Sequence, residues 1–367
     1  MRPQPAPTDD ALLSLFARHG FGRIETAVLQ AATLYLELSG EDIRRRLFAT
    51  QDGSGAELCL RPEHTIPVCR EHIASGREAG AYCYLGPVFR QRPGESGEFS
   101  QAGFESIGGV DEADADAAAL ALALEALDLF APARFTAKLG DVGLLDAVGR
   151  ALGLTPATGR RLRRTLAAGL PASAAFDGEG GSDRDYAGLL AAIEGQDPAA
   201  ARAFVEDVIS IAGVASVGGR SAGEIAERFL QRAQNRAGLV SSEARAVLDE
   251  YLGIADEPAR AVGRVRDLAR RAELDIEDAL RRAERRVAAM EARGLGGRPC
   301  RFATDFARSL DYYTGLIFEF HDPGATPGRF VAAGGRYDLL LRRLGHDRPV
   351  GAIGCAFWLD RLGGART

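Results

Sequence analysis

Several things are scarce in this sequence, and each shortage removes a class of protein. Its five cysteines, Cys59, Cys69, Cys83, Cys300 and Cys355, are odd in number and form no C-x-x-C pair. That excludes a disulfide framework and a thiolate zinc site, and leaves small buried hydrophobes as the expected role. No apolar run approaches the roughly 20 residues that cross a bilayer. The opening MRPQPAPTDDALLSLFARHG breaks its apolar stretch with Arg18 and His19 and has no small-residue cleavage pattern. A cytoplasmic location with no membrane partner is therefore expected. Basic blocks are missing too: 45 Lys and Arg stand against 51 Asp and Glu, a formal net charge of −6. Nothing offers a track for phosphates, which disfavours nucleic acid.

What is present is a folding chain of mixed character. With 46% hydrophobic and 26% charged residues the composition opposes disorder, and 367 residues suffice for two or so domains. From Asp9 to about Phe130, helical and strand patterns alternate. ALLSLFARHG ends in a glycine stop signal, and IETAVLQ reads as a strand. RLFATQDGSGAELCLRP reads as strands turning at Asp52-Gly53, and YCYLGPVFRQ and SQAGFESIG as two more. EADADAAALALALEALDLFA is a helix. From about Leu144 to Gly294 the segments RRLRRTLAAG, AAARAFVEDVISIAG, AGEIAERFLQRAQNRAG, EARAVLDEYLG and DIEDALRRAERRVAAMEARG are all helical in pattern, with arginine-rich faces that read as solvated. Strands return at CRFATDFA, GLIFEFH and GRFVAAGG, followed by a helix at RYDLLLRRLG, a strand at PVGAIGCA and a last helix at FWLDRLGG. The expected fold is α+β, a largely antiparallel sheet flanked by helices. Residues 1–140 and 295–367 form its strand-rich domain, and 141–294 an all-helical insertion.

Four stretches carry polar chemistry. LRPEHTIPVCR sets Glu63 and Thr65 two apart, on one side of a strand or at a capped helix start. YLGPVFRQRPGESGEFSQAGFES holds Arg90, then Gln101 and Glu105. A cation facing an amide and a carboxylate suits a zwitterion, and equally a surface hairpin with a cross-strand ion pair. RSLDYYTGLIFEFH adds Arg308, Asp311, Tyr312 and Tyr313, and AAGGRYDLLLRRLG adds Gly334, Gly335, Arg336 and Tyr337. A glycine pair before a helix start allows close approach to a ligand, but also makes ordinary turns.

Together LRPEHT, YLGPVFRQRP, RSLDYYTGLIFEF, AAGGRYDLL and GAIGCAFWLDRL, in that order, resemble the catalytic core of histidyl-tRNA synthetase, a class II aminoacyl-tRNA synthetase. The resemblance covers about 10–135 and 298–362. It implies an antiparallel sheet of six to seven strands, a homodimer built around the first helix and strand, and a pocket for free histidine. Within it, Glu63 and Thr65 would hold the α-amino end, and Arg90 matches the arginine of the second class motif. Gln101 and Glu105 fall on the strand that meets the amino acid, while Arg308, Tyr312, Tyr313 and Tyr337 would enclose the carboxylate and imidazole.

The nucleotide half departs from that family. FRQRPGESGEFSQ places Glu95 and Glu98 where the synthetases have cations, and Trp358 stands where their adenine-binding glycine lies, although Arg361 is kept. Ala27 stands near the expected position of the first motif's proline, and only six residues follow Arg361, so no anticodon-binding domain is expected. This combination resembles the regulatory subunits of ATP phosphoribosyltransferase. That resemblance implies no aminoacylation, no cofactor or metal, no tRNA, and a short-form catalytic subunit as partner, activated by this subunit and inhibited through it by histidine. Two other readings stay open: a truncated ligase that activates histidine for a non-tRNA acceptor, and a histidine-sensing module of other purpose.

Overall fold

The computed structural model describes residues 9–38, 46–92, 94–109, 111–131, 134–176, 241–308, 310–324 and 328–362. The helices expected over 199–213 and 222–238 lie outside the described residues. The chain divides into two compact units, one of Met1–Ala147 with Glu250–Thr367, the other Val148–Asp249. The described strands are β1 (Gly22–Arg23), β2 (Leu29–Ala31), β3 (Ala49–Gln51), β4 (Glu57–Leu60), β5 (Gly80–Phe89), β6 (Glu98–Ile107), β7 (Thr136–Asp141), β8 (Ala255–Asp256), β9 (Cys300–Ala303), β10 (Leu316–His321), β11 (Phe330–Arg336) and β12 (Ala352–Trp358). The described helices are α1 (Asp9–Arg18), α2 (Ala32–Leu38), α3 (Thr65–Ser75), α4 (Glu112–Asp128), α5 (Val142–Ala151), α6 (Pro156–Ala167), α7 (Ser242–Leu252), α8 (Pro258–Arg271), α9 (Glu277–Ala292) and α10 (Leu340–Arg343).

Nine strands form one sheet in the order β1-β5-β6-β12-β11-β10-β7-β9-β8, and β2-β4-β3 form a small second sheet. Most pairs are antiparallel, but β1 joins β5 and β7 joins β9 in parallel. The sheet is thus larger and more mixed than the six to seven antiparallel strands expected. The parallel β9 follows from the long crossover after β7, which a hairpin could not make. IETAVLQ contributes only to the short β2, RYDLLLRRLG is helical only over Leu340–Arg343, and FWLDRLGG supplies the end of β12 and a turn rather than a helix. The Asp52 turn forms as expected, with the Asp52 carboxylate accepting from the Ser54 and Ala56 N–H groups at 2.8 and 3.0 Å.

Period-two alternation gives the sheet two distinct faces. One takes α1 and α4, and there Phe16 of α1, Phe104 of β6 and Phe357 of β12 meet at ring separations of 5.5–6.4 Å. The Asp111 carboxylate caps α4 by accepting from the Asp114 N–H at 3.1 Å. Helices α8 and α9, which the sequence pattern assigned to the insertion, belong to the first unit, and α9 packs on α4. The reason is electrostatic as much as apolar. Arg286 of α9 is buried, with its guanidinium 2.6 Å from Asp116 and 2.5 Å from Asp141, and Arg336 lies 2.7 Å from the other oxygen of Asp116. Its neighbours match the solvated reading: Arg281 pairs with Asp278 at 2.9 Å and Arg285 with Asp111 at 2.7 Å, both exposed. Within the second unit, Pro156 and the Thr155 cap start α6, and Leu162, Phe176 and Leu248 are buried. No helix among the described residues is long and apolar enough to cross a membrane.

Candidate functional site

The other face of the sheet is hollowed by missing side chains. Register places Tyr84, Gly103 and Ala356 in one row across β5, β6 and β12, and Glu105 opposite Gly354 in the next row but one. A Cβ at Gly103 would overlap the Tyr84 phenol, and one at Gly354 would overlap the Glu105 carboxylate. These two glycines therefore let a phenol and a carboxylate lie flat on the sheet, where any larger residue would lift them off.

All nine residues expected to form a ligand pocket line one cleft over this floor: Glu63, Thr65, Arg90, Gln101, Glu105, Arg308, Tyr312, Tyr313 and Tyr337. The space between the side chains is ≈ 440 Å³, of which the centre of a water molecule can occupy ≈ 40 Å³. A single water needs about 10–15 Å³ on that measure, so the cleft is narrow and suits a small ligand. Glu105 is its centre. The buried carboxylate accepts from the Thr65 hydroxyl at 2.7 Å, from the Tyr84 phenol at 3.3 Å and from the Tyr337 phenol. Burial pushes its pKa up to about 7 against the three hydrogen bonds that favour the charge, and the Glu63 carboxylate pushes the same way.

Glu63 and Thr65 do not share a strand. Glu63 precedes α3 and accepts from the Thr65 and Ile66 N–H groups at 2.6 and 3.0 Å, so the capped helix start is the arrangement present, while the same carboxylate also borders the cleft. Burial raises its pKa. Arg90 donates to the Pro62 carbonyl at 2.5 Å and lies 5.7 Å from the Phe99 ring and 5.8 Å from the Trp358 ring. Burial lowers its pKa to about 10, which still leaves it a cation at neutral pH. Arg308 pairs with Glu319 of β10 at 2.5 Å, with Nε buried and without a partner among the described residues. Tyr312 sits between Tyr313 and Tyr337 at ring separations of 4.9 and 5.9 Å. Gly334 and Gly335 lie inside β11 rather than before a helix, and Arg336 ends that strand in the Asp116 cluster. Gln101 leaves more hydrogen-bonding capacity unfilled than Arg308 Nε or His64 Nδ1, the other cleft atoms that are buried without a partner among the described residues. It is 1% exposed, and neither its amide oxygen nor its amide nitrogen has a partner among the described residues.

The four residues of the altered nucleotide half separate. Trp358 lines the cleft and packs with Val88, Phe99 and Ala333. Arg361 donates to the Phe330 carbonyl at 2.8 Å and lies 5.6 Å from the Trp358 ring. Glu95 faces arginines, 2.7 Å from Arg92 and 3.5 Å from Arg361, whereas Glu98 is exposed at the start of β6. Among the lining residues not singled out from the sequence, two carry polar aromatic side chains, Tyr84 and His64. Tyr84 could have been, since it alternates with Gly86 on a strand. His64 stacks on Tyr84 at 4.4 Å, and burial and then Arg61 drive its pKa down to about 3, so it is neutral. Nothing in its sequence context marks it. All five cysteines are free, and no group of metal-ligating residues occurs among the described residues.

A sequence profile described as Histidyl-tRNA synthetase matches residues 6–215 and 221–362. The ATP phosphoribosyltransferase regulatory subunit of Mesorhizobium japonicum is 40% identical over 362 residues, 96% of this chain and 95% of that one. The protein of the same name from Sinorhizobium medicae is 38% identical over 96% and 95%. The chain belongs to the ATP phosphoribosyltransferase regulatory subunits. Solved structures agree on the fold. An ATP phosphoribosyltransferase regulatory subunit/histidyl-tRNA synthetase from Bacillus halodurans superposes with a TM-score of 0.66 at 23% identity, over 96% of this chain and 76% of that one. Histidyl-tRNA synthetase from Nostoc gives 0.63 at 16% identity, over 96% and 69%. As a regulatory subunit the chain has a non-catalytic role.

Proposed function

We propose that this regulatory subunit senses free histidine in the cleft. It serves a short-form ATP phosphoribosyltransferase catalytic subunit in the first step of histidine biosynthesis, is required for that partner's activity, and makes it subject to histidine feedback. The observation that carries the ligand is Gln101. A buried amide with four unfilled hydrogen-bond positions is costly unless a ligand fills them. Around it lie carboxylates for an ammonium, guanidiniums for a carboxylate, and the Glu105–Tyr337 pair for an imidazole. A sensor shifts its partner only by its difference in affinity for the two states, typically about 1–3 kcal/mol.

Histidine and ATP are titrated separately by calorimetry, with and without the catalytic subunit. Histidine should bind and ATP should not. Gln101→Leu should weaken histidine about tenfold or more, the value of a hydrogen bond to a charged group. Its melting temperature should hold or rise, because the amide it removes has no partner among the described residues. Equal affinity in the variant, or no histidine binding in the wild type, would refute the assignment.

A homodimer through the synthetase-like core is part of the same reading. It is supported by Val28, Leu29 and Phe48, exposed apolar residues at the small β2-β4-β3 sheet. Sedimentation should show two copies at micromolar concentration, and a monomer there would count against it.

A further inference from the structure

At the rim of the cleft three guanidinium groups converge on one carboxylate. One oxygen of Glu95 lies 2.7 Å from Arg92 and 3.5 Å from Arg361, and the other lies 3.7 Å from Arg329. Two of the arginines, Arg92 and Arg361, are held by more than Glu95. Arg92 sits 3.8 Å over the Phe99 ring, donates to the Ser96 carbonyl at 2.8 Å and reaches Asp360 at 3.4 Å. Arg361 is tied to the Phe330 carbonyl at 2.8 Å and lies 5.2 Å from the Phe330 ring. The Nε atoms of Arg329 and Arg361 are buried and have no partner among the described residues. Without Glu95, Arg92 would keep its contact with Asp360, and Arg92 and Arg361 would keep positions set by the Phe99 and Phe330 rings and by the Ser96 and Phe330 carbonyls.

We propose that Glu95 is a built-in counterion that closes an oxyanion site at the rim of the cleft, and that di- and triphosphate groups are the ligands it keeps out. A tethered carboxylate competes at an effective concentration in the millimolar range, which a free anion must exceed to enter. Neutralising it leaves convergent guanidiniums, which bind phosphate oxygens through charge-assisted hydrogen bonds. Simple repulsion from the acidic loop would act through Glu98 as well. Glu98 is exposed and makes no ion pair among the described residues, so it separates the two explanations.

Pyrophosphate and tripolyphosphate are titrated by calorimetry at low ionic strength into wild type, Glu95→Gln, Glu95→Ala and Glu98→Gln, each shown folded by its melting curve. Both Glu95 variants should bind tripolyphosphate about tenfold or more tighter than wild type, as expected for unmasked, partly desolvated charges. Adding Arg361→Gln should abolish that gain, and Glu98→Gln should show none. An equal gain in Glu98→Gln, or no gain in both folded Glu95 variants, would overturn the proposal. Neither arm uses histidine, so the result is independent of the ligand assigned to the inner cleft.

Discussion

Asp116→Asn should cost about 3–5 kcal/mol of folding stability, the loss typical when one partner of a buried ion pair is removed. Asp116 is fully buried, and each of its oxygens serves a different guanidinium, Arg286 at 2.6 Å and Arg336 at 2.7 Å. Arg286 also reaches Asp141 at 2.5 Å and Glu112 at 3.0 Å, and Arg336 reaches Asp338 at 2.8 Å. Burial works against the Arg286 charge, but Asp141, Asp116 and Glu112 outweigh it and hold its pKa above the ordinary value. Asparagine keeps the shape and removes the charge that both arginines share. Urea unfolding would measure the loss, with Asp111→Asn, whose pair with Arg285 is exposed, as the comparison. A change in Asp116→Asn no larger than in Asp111→Asn would show that the cluster does not bind α9 to the sheet. The cluster also borders the ligand cleft through the chain, since Tyr337 follows Arg336 directly and the Thr314 hydroxyl accepts from the Asp338 N–H at 3.0 Å.

Glu105 should make the protein less stable as pH rises through neutrality. Its folded pKa of about 7 lies above the ordinary 4.5, so the folded state holds the proton more tightly than the unfolded chain. The stabilisation is complete below 4.5 and is lost as pH rises through about 7, where the buried carboxyl must ionise. At about 1.4 kcal/mol per pH unit the wild type should lose about 3 kcal/mol across that window relative to Glu105→Gln. The Gln variant cannot ionise and keeps an acceptor for the Thr65 hydroxyl. Urea unfolding of both proteins at pH 5 and pH 8 tests this. If the difference between them is the same at both pH values, Glu105 does not titrate in that range. Because Glu63 raises the Glu105 pKa, Glu63→Gln should move the decline to lower pH; its effect on the cap of α3 is common to both pH values.

The family and most of the cleft-lining polar residues were legible because they rest on local rules. Gln101 and Glu105 are four apart on a strand and so share a face, whatever the strand packs against. Helices α7 and α9 announce themselves by apolar periodicity. The roles of several residues were not legible. Glu63 reads the same whether it meets a ligand or caps a helix, and here it does the second while bordering the cleft. Gly354 looks like an ordinary strand glycine until Glu105 is seen lying across it. Arg286 stands in the run RRAERR, where every arginine reads as solvated, yet its partners come from 170 and 145 residues away.

Motif order and short-range periodicity survive without coordinates, and they carry the synthetase-like family, the regulatory reading, the mainly antiparallel core and the residue types that line the cleft. The nine described strands of the sheet, and the membership of α8 and α9 in the first unit, emerge only from long-range packing. Among the described residues, long-range packing also pairs Glu95 with three arginines while Glu98 has no ion pair, and leaves both amide atoms of Gln101 without a partner. These depend on which distant groups meet, and burial makes each charge or amide costly or useful according to its neighbours, which a linear pattern does not specify.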